Sequence, residues 1–209
     1  MTEAGGYRER MREHLGADPG ADPRTQRTRL SIARAVSSLA ATSTSAVTVS
    51  AVAMAAAVTR PSFYNHFDSV EQAAAYAMSL DFDEFQLLDY SSRRRHVPPK
   101  AVGLATLSRI LDYLSANREL YRLASTWRNS SGRSGLTELL FDQVVSFRRE
   151  FGDPDAPFAD AENLYISAGM SGYLSAAVEG QFGDDRDAIV AELYALLPHW
   201  MTAPSLPEQ

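Results

Sequence analysis

The sequence has no cysteine, which excludes disulfides, thiolate metal sites and a cysteine nucleophile, and is what a reducing compartment permits. Its four histidines, His14, His66, His96 and His199, are scattered, and no paired-histidine motif is present, so neither a metal nor a cofactor is expected. Also missing are a phosphate-binding glycine loop and a dinucleotide glycine fingerprint. Gly132-Arg-Ser-Gly135 is one residue short of a nucleophile elbow. No segment alternates with β-branched residues for long enough to build a sheet. Residues 1–23 mix Glu, Arg, Gly and Asp without an apolar run, so the expectation there is a disordered, solvated tail, neither signal peptide nor membrane anchor. The uncharged stretch 163–178 is shorter than the roughly 20 apolar residues that span a bilayer, and no membrane partner is expected.

A further absence is local. From Arg24 to Phe67 there is no Asp or Glu, while Arg24, Arg27, Arg29, Arg34 and Arg60 give the segment a charge of +5. The chain as a whole carries −6, so the remainder carries −11. Overall acidity argues against a nucleic-acid partner, because DNA affinity rests largely on cations meeting phosphates. The distribution reverses that argument: a basic head can meet a polyanion that the acidic body repels.

What is present is helical periodicity nearly throughout, and 45% apolar composition over 209 residues is enough to bury a core. The fold expected is all-α. A first helix is predicted over 28–41, with Ile32, Ala35, Val36 and Leu39 on one face. A short helix follows Thr48, whose hydroxyl suits an N-cap; Ala57 and Val58 make a tight turn; Thr59 caps the next helix, with Pro61 in its first turn. A long helix is predicted over 69–90. The stretch 91–99, with Arg93, Arg94, Arg95, His96 and two prolines, reads as a solvated linker and hinge. Further helices are predicted over 100–116, 119–127, 136–151, 160–179 and 185–197.

Residues 48–71, TVSAVAMAAAVTRPSFYNHFDSVE, resemble the signature of the TetR (tetracycline repressor) family, which runs roughly T-V-x-x-I-A-x-x-A-G-V-S-x-G-x-F/L-Y-x-H/Y-F-x-S-K-E. Phe63, Tyr64, His66 and Phe67 are the most specific part of the match, and Leu39 stands in register where Phe is usual. Three positions depart. Ala57 replaces the turn glycine, which is tolerable if its φ stays helical. Pro61 stands where Gly is common, and Val70 stands where Lys would supply a phosphate contact.

The resemblance implies a three-helix, helix-turn-helix DNA-binding head at 24–68, joined by the long helix to an effector-binding and dimerisation domain within 69–209. Two short helices joined by a tight turn also have, on physical grounds, the geometry that places the second helix in the major groove. Arg60, Pro61, Ser62 and Asn65 are the candidates for base edges. Tyr64, His66, Thr48, Thr59 and Arg29 are the candidates for the backbone of the duplex. Phe63 and Phe67, four apart, are core.

The body says less. Phe85, Tyr113, Tyr121, Trp127, Phe141, Phe147 and Tyr165 would ordinarily be core, but the resemblance makes them candidates to line an effector cavity. Arg122, Arg128 and Gln143 are candidate polar contacts in it. The helix holding 163–178 is uncharged all round, so burial on more than one side is expected. Its small residues would admit a partner helix, with Leu193, Leu196, Leu197 and Trp200 as the matching surface. The expectation is a cytoplasmic, homodimeric transcriptional regulator that is not an enzyme. It would repress from a roughly palindromic operator in double-stranded DNA until a small-molecule effector releases it, and pair through its last two helices. The alternatives are a helical enzyme without a recognisable motif and an architectural protein that binds DNA without sequence preference.

Overall fold

The computed structural model describes residues 22–43, 45–130 and 132–203; of the tail expected at 1–23, residues 1–21 lie outside them, and Asp22 and Pro23 instead open a helix. The described residues are helical with no β-strand; one isolated bridge joins Arg128 to Ser134. The chain is all-α. It divides into two compact units: one takes in the chain up to Leu80 together with Glu119–Trp127, the other Asp81–Arg118 and the chain from Arg128 onward.

In the first unit, α1 spans Pro23–Thr42. It begins earlier than expected because Asp22 accepts a bond from the Arg24 amide at 3.0 Å and Pro23 fills the first helical position, where no N–H is needed. Its buried face is Ile32, Ala33, Ala35, Val36 and Ala40, and it packs on α2 (Val49–Ala55). The Thr48 side chain caps α2, and the Ser31 hydroxyl donates to the Ala56 carbonyl at 3.1 Å, tying α1 to the end of α2. α3 (Arg60–Tyr64) follows, capped by Thr59 through the Ser62 amide, and packs on α2. It stops at Asn65, short of the expected Phe67. α4 (Val70–Arg94) starts at Ser69, whose hydroxyl accepts from the Gln72 amide, while the Gln72 side chain accepts from the Asp68 amide. That reciprocal arrangement satisfies two amides at once.

The second unit holds the rest of α4, then α5 (Pro99–Ala116), α7 (Gly135–Phe151), α8 (Ala159–Val178), α9 (Arg186–Leu196) and the single turn α10 (His199–Thr202). α6 (Arg118–Thr126) lies, except for Arg118, in the first unit. α7 packs along α8, α5 meets both α8 and α9, and α10 closes on α5 and α7. Gly103 is required where α5 meets α9: a Cβ there would lie 2.4 Å from the Tyr194 ring. The linker expected at 91–99 is instead helix as far as Arg94. The Ser91 and Ser92 hydroxyls bond back to Leu88, Arg93 pairs with Asp89 one turn before it, and the break comes at His96, Pro98 and Pro99.

α2, α4 and α8 end alike. In each the second residue past the cap donates back five residues and the first donates back three: Val58 to Ala53 with Ala57 to Met54, Val97 to Ser92 with His96 to Arg93, Gln181 to Ala176 with Gly180 to Ala177. This motif needs a left-handed residue at its centre. Gly180 (φ 78°) takes it freely, but Ala57 sits at φ 55° and His96 at φ 61°. The condition under which alanine is tolerable at 57, a helical φ, is therefore not met: closing the turn between α2 and α3 forces the left-handed region despite the Cβ. An alanine there costs about 1 kcal/mol. Ala57→Gly is expected to stabilise the chain by about that amount, less the entropy glycine adds to the unfolded chain. Urea unfolding of the two proteins checks it, and a lower midpoint for Ala57→Gly would contradict the strain.

Candidate nucleic-acid interface and ligand cavity

α3 has only five residues, and burial of one of them orients the rest. Phe63 is 0% exposed and meets Phe67, itself buried, at 6.1 Å between ring centroids. At 100° per residue, Pro61 and Asn65 fall opposite Phe63, with Arg60 and Tyr64 to one side and Ser62 to the other. Accessibility agrees: Arg60, Pro61, Tyr64 and Asn65 are exposed, whereas Ser62 is half-buried. Thr48 and Thr59 are exposed at their caps, so α2 and α3 present both capping hydroxyls and the four outward side chains to solvent.

Two residues sit differently from their neighbours. The Arg29 guanidinium lies 4.4 Å from the centre of the Tyr76 ring and 5.2 Å from that of Phe67, with its Nε buried and without a hydrogen-bond partner among the described residues. Arginine stacked on two aromatic faces contributes to the packing of the head itself. His66 is half-buried; its surroundings, and then the Arg29 charge, push its imidazole below the usual histidine value.

In the second unit lies a half-open cavity, about 680 Å3 with the solvent at its mouth counted in. α4 supplies Phe82, Phe85, Gln86, Asp89, Tyr90 and Arg93; α5 supplies Gly103, Thr106, Leu107 and Ile110; α7 supplies Leu140, Gln143, Val144 and Phe147. Met170, Tyr194, Leu197 and Met201 complete it. Of the aromatics singled out from the sequence, Phe85 and Phe147 are in this lining. Tyr113 stands behind it, stacked edge-on against Phe82 and Phe85 with its hydroxyl donating to Asp81 at 2.7 Å. Phe141 lies under the Arg133 guanidinium, Tyr165 is 81% exposed, and Tyr121 and Trp127 belong to the first unit. Of the polar candidates, Gln143 lines the cavity, Arg122 is spent on an exposed pair with Glu119, and Arg128 takes part in the bridge to Ser134.

The residues missed are Asp89 and Arg93. They are 6% and 4% exposed, with Arg93 Nε donating to Asp89 Oδ1 at 2.5 Å and the Thr106 hydroxyl donating to Oδ2 at 2.8 Å. The run of three arginines suggested solvent. The four-residue spacing from an acid to an arginine on one helix was the signal that pointed inward. Beside the cavity, Asp83 and Asp142 are each pushed up to about 7. Burial is the main cause for both, and a neighbouring acid adds to it, Asp142 for Asp83 and Glu138 for Asp142.

Residues 32–72 match the family described as bacterial regulatory proteins, tetR family. No curated protein sequence matches the chain. Among solved structures, the fatty acid degradation regulator FadR from Bacillus halodurans superposes with a TM-score of 0.47 at 13% identity, covering 85% of this chain and 97% of that one. Among the described residues, no helix is long and apolar enough to cross a membrane.

The two raised carboxyls set a pH dependence. With folded values near 7 against 3.8 in the free side chain, the folded chain keeps protons that the unfolded chain has released. Stability therefore falls as pH rises through that window. Asp142→Asn is expected to raise the unfolding midpoint at pH 8 and to lose most of that advantage at pH 5. Thermal melts at the two pH values check this, and an equal gain at both would overturn it.

Proposed function

We propose, for a chain whose residues 32–72 match the tetR family of bacterial regulatory proteins, that it is a homodimeric, cytoplasmic repressor whose paired heads read a roughly palindromic operator and whose cavity, on binding a small molecule, frees the DNA. The observation that carries the DNA-reading half is the direction of α3. With Phe63 fully buried, a tight turn and two capped helices hold Arg60, Pro61 and Asn65 outward on one surface. Asn65 and Arg60 take the base edges, as asparagine does with adenine and arginine with guanine; the Pro61 ring offers apolar contact, and Ser62, half-buried, is the peripheral member. Thr48, Thr59, Tyr64 and His66 hold phosphates, with Arg29 behind them adding positive potential.

Dimerisation is supported by exposed residues of α8 and α9 that no described residue covers. Phe158 at 85%, Tyr165 at 81% and Leu196 at 68% are exposed, together with Ala168, Gly169 and Gly172, and a side chain at either glycine would project into open space. An uncovered apolar surface on a helix pair fits a second copy, which presents the same surface about a two-fold axis. The matching set expected from the sequence needs revision: Leu193 is buried, Leu197 lines the cavity, and Trp200 packs over Arg148, so only Leu196 remains free. Release requires that the effector bind the DNA-free form more tightly than the bound one.

Sedimentation is expected to give a dimer at micromolar concentration, and Gly169→Arg a monomer with an unchanged helical spectrum. A monomeric parent protein would end the proposal. Titration of head variants against the operator and its single-base variants tests the reading surface. Asn65→Ala and Arg60→Ala are expected each to lose about 1 to 3 kcal/mol of discrimination at one position per half-site, and Tyr64→Phe to weaken operator and random DNA alike. His66→Ala is expected to weaken operator and random DNA alike, since a phosphate contact carries no sequence information directly. A changed base preference in His66→Ala would overturn its assignment.

A further inference from the structure

Resting on the reading of the cavity as an effector site, we infer the chemical class of its ligand: an uncharged, mainly apolar molecule carrying one carbonyl or comparable hydrogen-bond-accepting oxygen, which Arg93 receives. The lining is dominated by aromatic and aliphatic side chains from six helices, α4, α5, α7, α8, α9 and α10. Such a wall selects an apolar body.

The polar groups in it narrow the choice. The Thr106 hydroxyl is donated to Asp89, the Gln143 amide to Asp83 at 3.3 Å, the Gln86 amide to the Gln143 carbonyl at 3.0 Å, and the Tyr194 hydroxyl to the Thr202 carbonyl at 3.0 Å. Arg93 is different. Its Nε and Nη2 face Asp89, the Phe147 and Phe151 rings lie 4.9 and 5.8 Å from its guanidinium carbon, and Nη1 is buried with no hydrogen-bond partner among the described residues. A buried donor without an acceptor is costly, and a ligand oxygen that accepts from it removes that cost.

Charge decides between a neutral oxygen and a carboxylate. Asp89 already balances Arg93 at 2.5 Å, so the pair is neutral as it stands. A carboxylate would leave a net negative charge in an apolar enclosure, which a ketone, ester, lactone or amide oxygen does not. The required ligand is thus an acceptor without charge.

The experiment uses three probes of one shape on the full-length protein: pentylbenzene, valerophenone and 5-phenylpentanoate, with affinity read by calorimetry and by the shift in melting temperature at pH 7.5. Valerophenone is expected to bind about tenfold more tightly than pentylbenzene, as a hydrogen bond to a charged donor allows, and at least tenfold more tightly than the carboxylate. A carbon-13 label at its carbonyl is expected to move downfield on binding. In the Asp89→Leu/Arg93→Leu double variant, which removes both charges together, the preference for the ketone over the hydrocarbon should fall to within about twofold. If the three probes bind equally, or the carboxylate binds best, the inference is overturned while the cavity stands. If none binds, the effector reading of the cavity falls instead. Should the double variant not fold, the ranking of the three probes on the parent protein decides alone.

Discussion

Burial of the Phe63 ring is the contact on which the reading surface depends. A helix of five residues has no stability of its own, because nucleating a turn costs more than so few backbone bonds return. α3 exists because a ring at its centre is driven out of water, against Phe67 and beside the rings and guanidinium that follow. The same burial gives the helix its rotation about its axis. Every outward residue is outward relative to Phe63, so one hydrophobic contact sets both the presence of the helix and the identity of its exposed face.

In the second unit a buried cation has a comparable role. Arg148, 4% exposed on α7, donates to Asn163 at 2.7 Å and to Glu162 at 2.5 Å, both on α8, while the Trp200 ring of α10 lies 4.0 Å from its guanidinium and donates its own N–H to Glu162 at 3.1 Å. Three helices thus meet at one planar group whose Nε and Nη2 each find an acceptor on α8. Removing a single partner from such a cluster costs far more than the cluster contributes as a whole. α8 consequently keeps one uncharged side inward, with Ser167 and Ser171 buried, and leaves the other without a neighbour among the described residues.

What the sequence revealed follows from how local each signal is. The caps Thr48 and Thr59, the prolines at helix starts and the Phe63–Phe67 spacing act within a few residues, and all could be seen in the chain. The all-α class could be seen for the same reason. The left-handed Ala57 could not, because its φ is imposed by closure between two helices rather than by its own preference. The aromatics of the body were ambiguous because a ring at a core position and a ring at a cavity wall have the same spacing; which one results depends on what the opposing helix leaves empty. Arg93 was hidden by its own neighbours, since Arg94 and Arg95 made the run look like solvated charge.

The two capping hydroxyls carry a consequence for which sequences this head can tolerate. At Thr48 and Thr59 the oxygen accepts from an amide of its own helix, at 3.3 and 3.2 Å, and the hydroxyl proton remains free to point away from the protein. One atom ends the helix while its hydrogen faces whatever lies outside. Aspartate is as good a cap, yet it has no proton to offer and sets a negative charge on the surface proposed to meet a polyanion. The pool of acceptable substitutions at these positions is therefore narrower than helix capping alone would allow. The absence of any acid between Arg24 and Phe67 is the same restriction extended across the whole head.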